Sequence, residues 1–241
     1  VLVGSALLIV GSFFGIVLIR NNHYLMDDLH PKEQLKQDFK FIDTHFGGIR
    51  PFDVAVELSD PALSFWDPEV LKELQQVENY LENTYGAEIK NSLTQSLCIM
   101  NRASHGGSAA FFEIPTQKSV LKNFRRNLRR LEGGTYLRTI LDSTERFSRM
   151  HGNLADLGSA VIAKRNAAFE RYCEQLPLHG KVNYRITGAA HLLDRNIDFI
   201  SASLVEGLIF SVLLIALIMG MVYKSVRMML ISMIPNLIPL L

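Results

Sequence analysis

Apolar and polar residues are sorted into blocks along this chain. Val1 to Ile19 carries no charge, nor does Gly207 to Tyr223, and almost all of the 25 basic and 24 acidic residues lie between these runs. A bilayer core about 30 Å thick is crossed by roughly 20 helical residues, each rising about 1.5 Å. Both runs meet that length and are read as membrane helices, at 1–20 and 199–223. A cleaved signal peptide would have a shorter apolar stretch and a small-residue cleavage site before Arg20, which is not evident. After the link Lys224–Arg227 the pattern turns apolar again in MMLISMIPNLIPLL, which predicts the start of a third span at 228–241. The chain opens on Val1 and closes inside that apolar run, so it is expected to be part of a longer polytopic protein.

Between the helices, residues 21–198 read as one extramembrane domain. Phe52, Val54, Val56 and Leu58 alternate with Asp53 and Glu57, the two-residue period of a half-buried strand. A helix follows, with Asp67 as its cap, Pro68 in its first position, and Leu71, Leu74, Val77 and Leu81 on one stripe until Gly86 stops it. AEIKNS then predicts a short second strand. The same grammar recurs in a weak strand around Glu145–Leu154, a helix over Ser159–Leu176 with Ile162, Phe169, Tyr172 and Leu176 on one stripe, and the alternating strand VNYRIT. Gly188 breaks the chain before the second membrane helix. Two βαβ units predict an α+β, ferredoxin-like layer of sheet and helices.

A helical insertion is expected at about 93–135, with glycine pairs at Gly106–Gly107 and Gly133–Gly134 as flexible boundaries. It contains KSVLKNFRRNLRRLE, with Leu121, Phe124, Leu128 and Leu131 on one face and Lys122, Arg125, Arg126, Arg129 and Arg130 elsewhere. Two readings stand: contact with anionic headgroups or an anionic cargo, and a helix docked by its apolar stripe with a solvated basic face.

Net charge of +1 gives no electrostatic argument for nucleic acid. The seven histidines are scattered without HExxH, and the two cysteines form no CxxC, so no metal site, cofactor site or catalytic group is assigned. Cys98 and Cys173 could pair in an oxidising compartment, but without framework spacing they read rather as two unpaired buried thiols. GGIRP lacks the Gly-Lys-Ser/Thr ending of a phosphate loop and reads as a turn into the first strand.

Lys224 and Arg227 in the short link place that end in the cytoplasm, and hence the large domain in the periplasm or outside the cell. Glu206 lies some 26 Å of helix above Lys224, near the outer interface, where a solvated carboxylate competes with a proton or cargo site as its reading. Pro235 and Pro239 mark a kink or helix end in the third segment, or a hinge with Asn236 bonding across helices.

Three stretches then carry a resemblance: FIDTHFGGIRPFDVAVE at the domain entry, TGAAHLLDRN at its exit, and PNLIPLL at the end. Their order and spacing resemble the resistance-nodulation-division (RND) transporter superfamily, nearest its MMPL-type lipid exporters, with the entry motif more like the second half of such a transporter. The resemblance implies a porter domain in a plasma-membrane assembly of about twelve spans in two similar halves. It implies export of lipids or other hydrophobic molecules driven by a proton gradient. Its partners would be membrane lipids, the hydrophobic cargo, the remaining helices of the same transporter and, in some assemblies, further copies of itself. The proton-carrying acids of such families sit on a fourth helix, which this chain does not reach. Two other classes are a membrane sensor with an extracellular ligand-binding domain, which the short link and third span disfavour, and an accessory of protein translocation.

Overall fold

The computed structural model describes residues 22–27 and 29–237. The first expected membrane helix, at 1–20, lies outside the described residues, as does Pro239. The chain divides into two compact units, His23–Leu193 and a second holding Asp194–Leu241.

In the first unit a helix, α1 (Gln34–His45), leads through a turn at Gly47 and Gly48 into β1 (Arg50–Leu58). The turn needs glycine: Gly48 has φ +100°, and a Cβ there would sit 2.1 Å from the backbone of Leu154. β1 buries Phe52, Val54, Val56 and Leu58 on one face, as its alternation predicts. α2 (Pro68–Tyr80) starts with proline in its first turn, where the missing N–H costs nothing. Asp67 occupies the capping position but does not cap: its carboxylate turns back to accept from the Ser64 amide at 2.7 Å. A π-helical turn, Leu81–Tyr85, extends α2 until Gly86 closes it in the left-handed region at φ +83°. β2 (Ala87–Asn91) follows.

The expected insertion is helical, and it extends past 135. α3 (Leu93–Ser104) is capped by Ser92, whose Oγ accepts from the Gln95 amide at 3.0 Å. α4 (Lys118–Arg130) and α5 (Thr135–Ile140) come next. Leu93, Leu97, Leu121, Phe124, Leu128, Leu137 and Ile140 all join the core that β1 and α2 build, so this segment is part of the domain's interior. Leu131 departs from its expected place on the apolar stripe. The helix ends at Arg130, Leu131 turns to extended backbone, and its side chain is 48% exposed.

β3 (Phe147–Leu154), α6 (Ser159–Cys173) and β4 (Val182–Thr187) complete the unit. The sheet order is β2-β3-β1-β4, with antiparallel neighbours throughout. Each β-α-β stretch is therefore split by a strand of the other: β3 lies between β1 and β2, and β1 between β3 and β4. Val54 faces Met150 on one side and Ile186 on the other. Buried Glu73 joins α2 to the last strand, accepting from Tyr184 Oη at 3.0 Å and from the Leu178 amide at 2.7 Å.

Where α2 meets α3 the core holds a polar network. Glu78, 6% exposed, accepts from the Thr94 hydroxyl, which lies 3.0 Å from Ser92 Oγ. Burial pushes the Glu78 carboxyl up to about 7 from an ordinary 4.5, against the opposing hydroxyls of Ser92 and Thr94 and with help from the charge of Glu82. The folded chain thus prefers the protonated acid. That contribution is fully present below pH 4.5 and is lost as pH rises through about 7. At about 1.4 kcal/mol per pKa unit it amounts to as much as about 3 kcal/mol across the window. Glu78→Gln should flatten that dependence. Urea midpoints followed by fluorescence of Trp66, the sole tryptophan, at pH 5 and 8.5 would test it; equal pH dependence in both chains would refute the assignment.

Cys98 and Cys173 are free and buried, on α3 and α6. Burial raises their thiols to about 11 and about 12, so almost no thiolate exists at pH 8. Neither should react with a maleimide until the chain is unfolded, which mass spectrometry reads directly.

In the second unit, α7 (Ala189–Tyr223) begins in the first and runs for 35 residues. With a hydropathy of 2.5 it is long and apolar enough to cross a membrane by length and composition, the one such helix among the described residues. Lys224 and Ser225 separate it from α8 (Val226–Leu237), whose bounds run past Pro235, so that proline does not end the helix.

Candidate coupling junction

The chain enters and leaves the first unit at one end of the sheet, and two buried aspartates with basic partners gather there. On the entry side, His23 and Ser159 exchange bonds: the His23 amide donates to Ser159 Oγ at 2.9 Å, and the Ser159 amide to the His23 carbonyl at 2.9 Å. Asp156 stands at the centre. Its Oδ1 accepts from Arg50 Nη1 at 3.0 Å and its Oδ2 from the Leu25 amide at 2.6 Å. Both side chains of the Arg50–Asp156 pair are almost fully buried, at 4% and 8% exposed. Asp43 Oδ1, at the end of α1, accepts from the amides of Ile49 and Asp156, each at 3.0 Å. One carboxylate therefore ties α1, the turn and the end of β3 together.

On the exit side, β4 ends opposite Asp53 in the register Asp53↔Thr187, and Gly188 follows. Gly188 has φ +100°, and its face is closed: a Cβ there would lie 2.7 Å from Asp53 Oδ2 and 3.2 Å from Asp53 Cβ. Asp53 is on the polar side of β1's alternation yet only 5% exposed. Its Oδ1 accepts from Arg149 Nε at 2.7 Å and faces His151 Nδ1 at 2.8 Å, both from the neighbouring strand β3. Burial pushes its carboxyl up, but the bonds and charges of Arg149 and His151 more than offset this and hold it below the ordinary range. The Arg149 guanidinium is raised in turn, chiefly by its bond to Asp53.

Of the residues singled out in the sequence, the structure builds Gly188 into this junction. Glu206 lies exposed on α7, and Pro235 and Asn236 lie within α8, all three in the second unit. The ionic groups that hold the junction, Arg50, Asp156, Asp43 and the Asp53–Arg149–His151 set, were not anticipated. The alternation of β3 places Arg149 and His151 on one face, but which carboxylate faces them depends on the strand order.

No protein-family model matches the chain, and no curated protein matches it.

Proposed function

We propose that this chain is part of a proton-driven RND/MMPL-type exporter of lipids or other hydrophobic molecules, embedded in the plasma membrane by several helices. Its first unit would be a ferredoxin-like porter domain on the periplasmic or extracellular side. The observation that carries the reading is the exit: the last strand of a split βαβ pair passes through one constrained glycine into a 35-residue helix long and apolar enough to span a bilayer. The entry and exit motifs named above fall on the two sides of this junction.

In this reading proton transfer occurs in helices that the chain does not include. Their rocking would reach the porter domain through α7 and Gly188, with the bonded carboxylates of Asp53 and Asp156 making the domain end stiff enough to follow. Glu206 would sit at the outer interface, and Glu206→Gln is expected to leave transport nearly unchanged.

The test is lipid analysis of a strain lacking the protein, joined to transport by the reconstituted full-length protein with and without a proton gradient. Altered lipid distribution and transport that stops when the gradient collapses are expected. An unchanged distribution together with gradient-independent transport would overturn the proposal.

A further inference from the structure

The helices α2 to α6 each bury part of one face, whereas none of the twelve residues of α1 is buried. Its apolar side chains are nevertheless ordered into a stripe. Leu35, Phe39 and Ile42, with Phe46 at the residue that ends the helix, are spaced four, three and four positions apart. At about 100° per residue they project within about 60° of one another. Leu35, Ile42 and Phe46 are exposed and Phe39 is half-buried. A helix of this length is marginal in water, and in proteins such helices are held mainly by packing their apolar face. This one has the face without the packing.

What fixes α1 is its root. The Leu25 amide donates to Asp156 Oδ2 at 2.6 Å, and the Asp156 amide donates to Asp43 Oδ1 at 3.0 Å. The chain between Leu25 and Asp43 therefore leaves from and returns to one point, the point at which it enters the first unit. The uncharged run Val1 to Ile19 ends four residues before His23. Extended chain covers at most about 3.6 Å per residue, so a bilayer crossed by that run begins within about 14 Å of His23. A helix about 18 Å long rooted beside His23 is within reach of it.

We infer that α1 lies in the surface of the bilayer, with its stripe of Leu35, Phe39, Ile42 and Phe46 resting on the acyl chains of neutral phospholipid. Charge selects no partner here, because Lys32, Lys36 and Lys40 are balanced by Glu33, Asp38 and Asp43. Apolar character and position select it. The chain places α1 between the uncharged run and the sheet, where the nearest apolar phase is the bilayer, and an amphipathic helix sinks its face roughly 5–10 Å into the boundary between headgroups and acyl chains. Exposed Tyr24, next to the entry bond at His23, belongs to a residue type enriched at that level. The inference rests on the membrane reading above, but not on transport.

The experiment reconstitutes the full chain in phosphatidylcholine vesicles, with a nitroxide on one introduced cysteine at a time. Cys98 and Cys173 are buried and stay unlabelled in the folded chain. L35C and I42C lie on the stripe, and Q37C and T44C on the opposite side; all four positions are exposed, so labelling leaves the fold intact. L213C, in the uncharged part of α7, reports whether the chain is in the membrane at all. Oxygen concentrates among acyl chains, whereas a nickel chelate stays in water. The ratio of relaxation by oxygen to relaxation by nickel should be severalfold higher at 35 and 42 than at 37 and 44. Equal ratios at the four positions, or exclusion of both relaxants from 35 and 42 as in a protein interface, would overturn the inference. If L213C is then in lipid, the membrane reading still stands; if it is in water, that reading falls as well. Lipid contact at 35 and 42 in a protein that moves no lipid would support this inference and refute export.

Discussion

Arg50→Ala and Asp156→Ala should each destabilise the first unit by about 3–5 kcal/mol, the cost expected when one partner of a buried ion pair is removed and the other charge stays behind. Arg50 and Asp156 have little solvent to fall back on, with side chains 4% and 8% exposed. Asp156 should be the more sensitive of the two, because its other oxygen also holds the Leu25 amide at 2.6 Å and with it the entering chain. Asp156→Asn retains one acceptor oxygen and should lose less than the alanine variant, while the double variant R50M/D156L should recover part of the loss. Urea unfolding followed through Trp66 measures all four. Losses in both Asp156 variants no larger than the roughly 1 kcal/mol of an exposed pair would show that charge pairing and hydrogen bonding at this position are not what holds the entry.

At the other crossing point, Gly188→Ala is expected to cost about 3–5 kcal/mol. An L-residue forced to φ +100° contributes about 1–3 kcal/mol of that. The rest comes from the new methyl group, which must displace Asp53 from its bonds to Arg149 and His151; hydrogen bonds to charged groups contribute roughly 1.5–3 kcal/mol each. Two variants separate these causes. Asp53→Ala in the Gly188→Ala background removes the clash and leaves the strained backbone, so the double variant should be less damaged than the sum of the singles. If the two losses simply add, the carboxylate is not what the methyl group meets.

The legible parts of the fold were those written in local period and punctuation. The alternation of β1 and β4 and the Pro68 start and Gly86 stop of α2 depend on residues within one or two turns of each other, and the structure places them as the pattern predicts; the stripe of α6 holds for Ile162 and Phe169, but the helix ends at Cys173, before Leu176. Asp67 failed as a cap because a nearer amide, that of Ser64, competed for its carboxylate. Strand order could not be read locally, since β3 reaches its place between β1 and β2 only after the whole helical segment has been threaded. For the same reason Gly188 was visible as a break, whereas its neighbour Asp53, 135 positions earlier in the chain, was not. The Glu145 clamp was equally hidden: nothing in a run of arginines distinguishes Arg125 and Arg129, which bond Glu145, from Arg126 and Arg130, which do not.

The chain enters the first unit at Ser159 and Asp156 and leaves it at Gly188, both at the end of the sheet where β1 begins, and this has a consequence for engineering. A unit whose two ends leave from one end of its sheet can be excised and the gap bridged by a linker, and domain insertion succeeds at such places. Joining Asn22 to Asp194 by a short glycine-serine linker should leave the flanking segments connected, and the excised piece, His23–Leu193, should fold as a transplantable cassette.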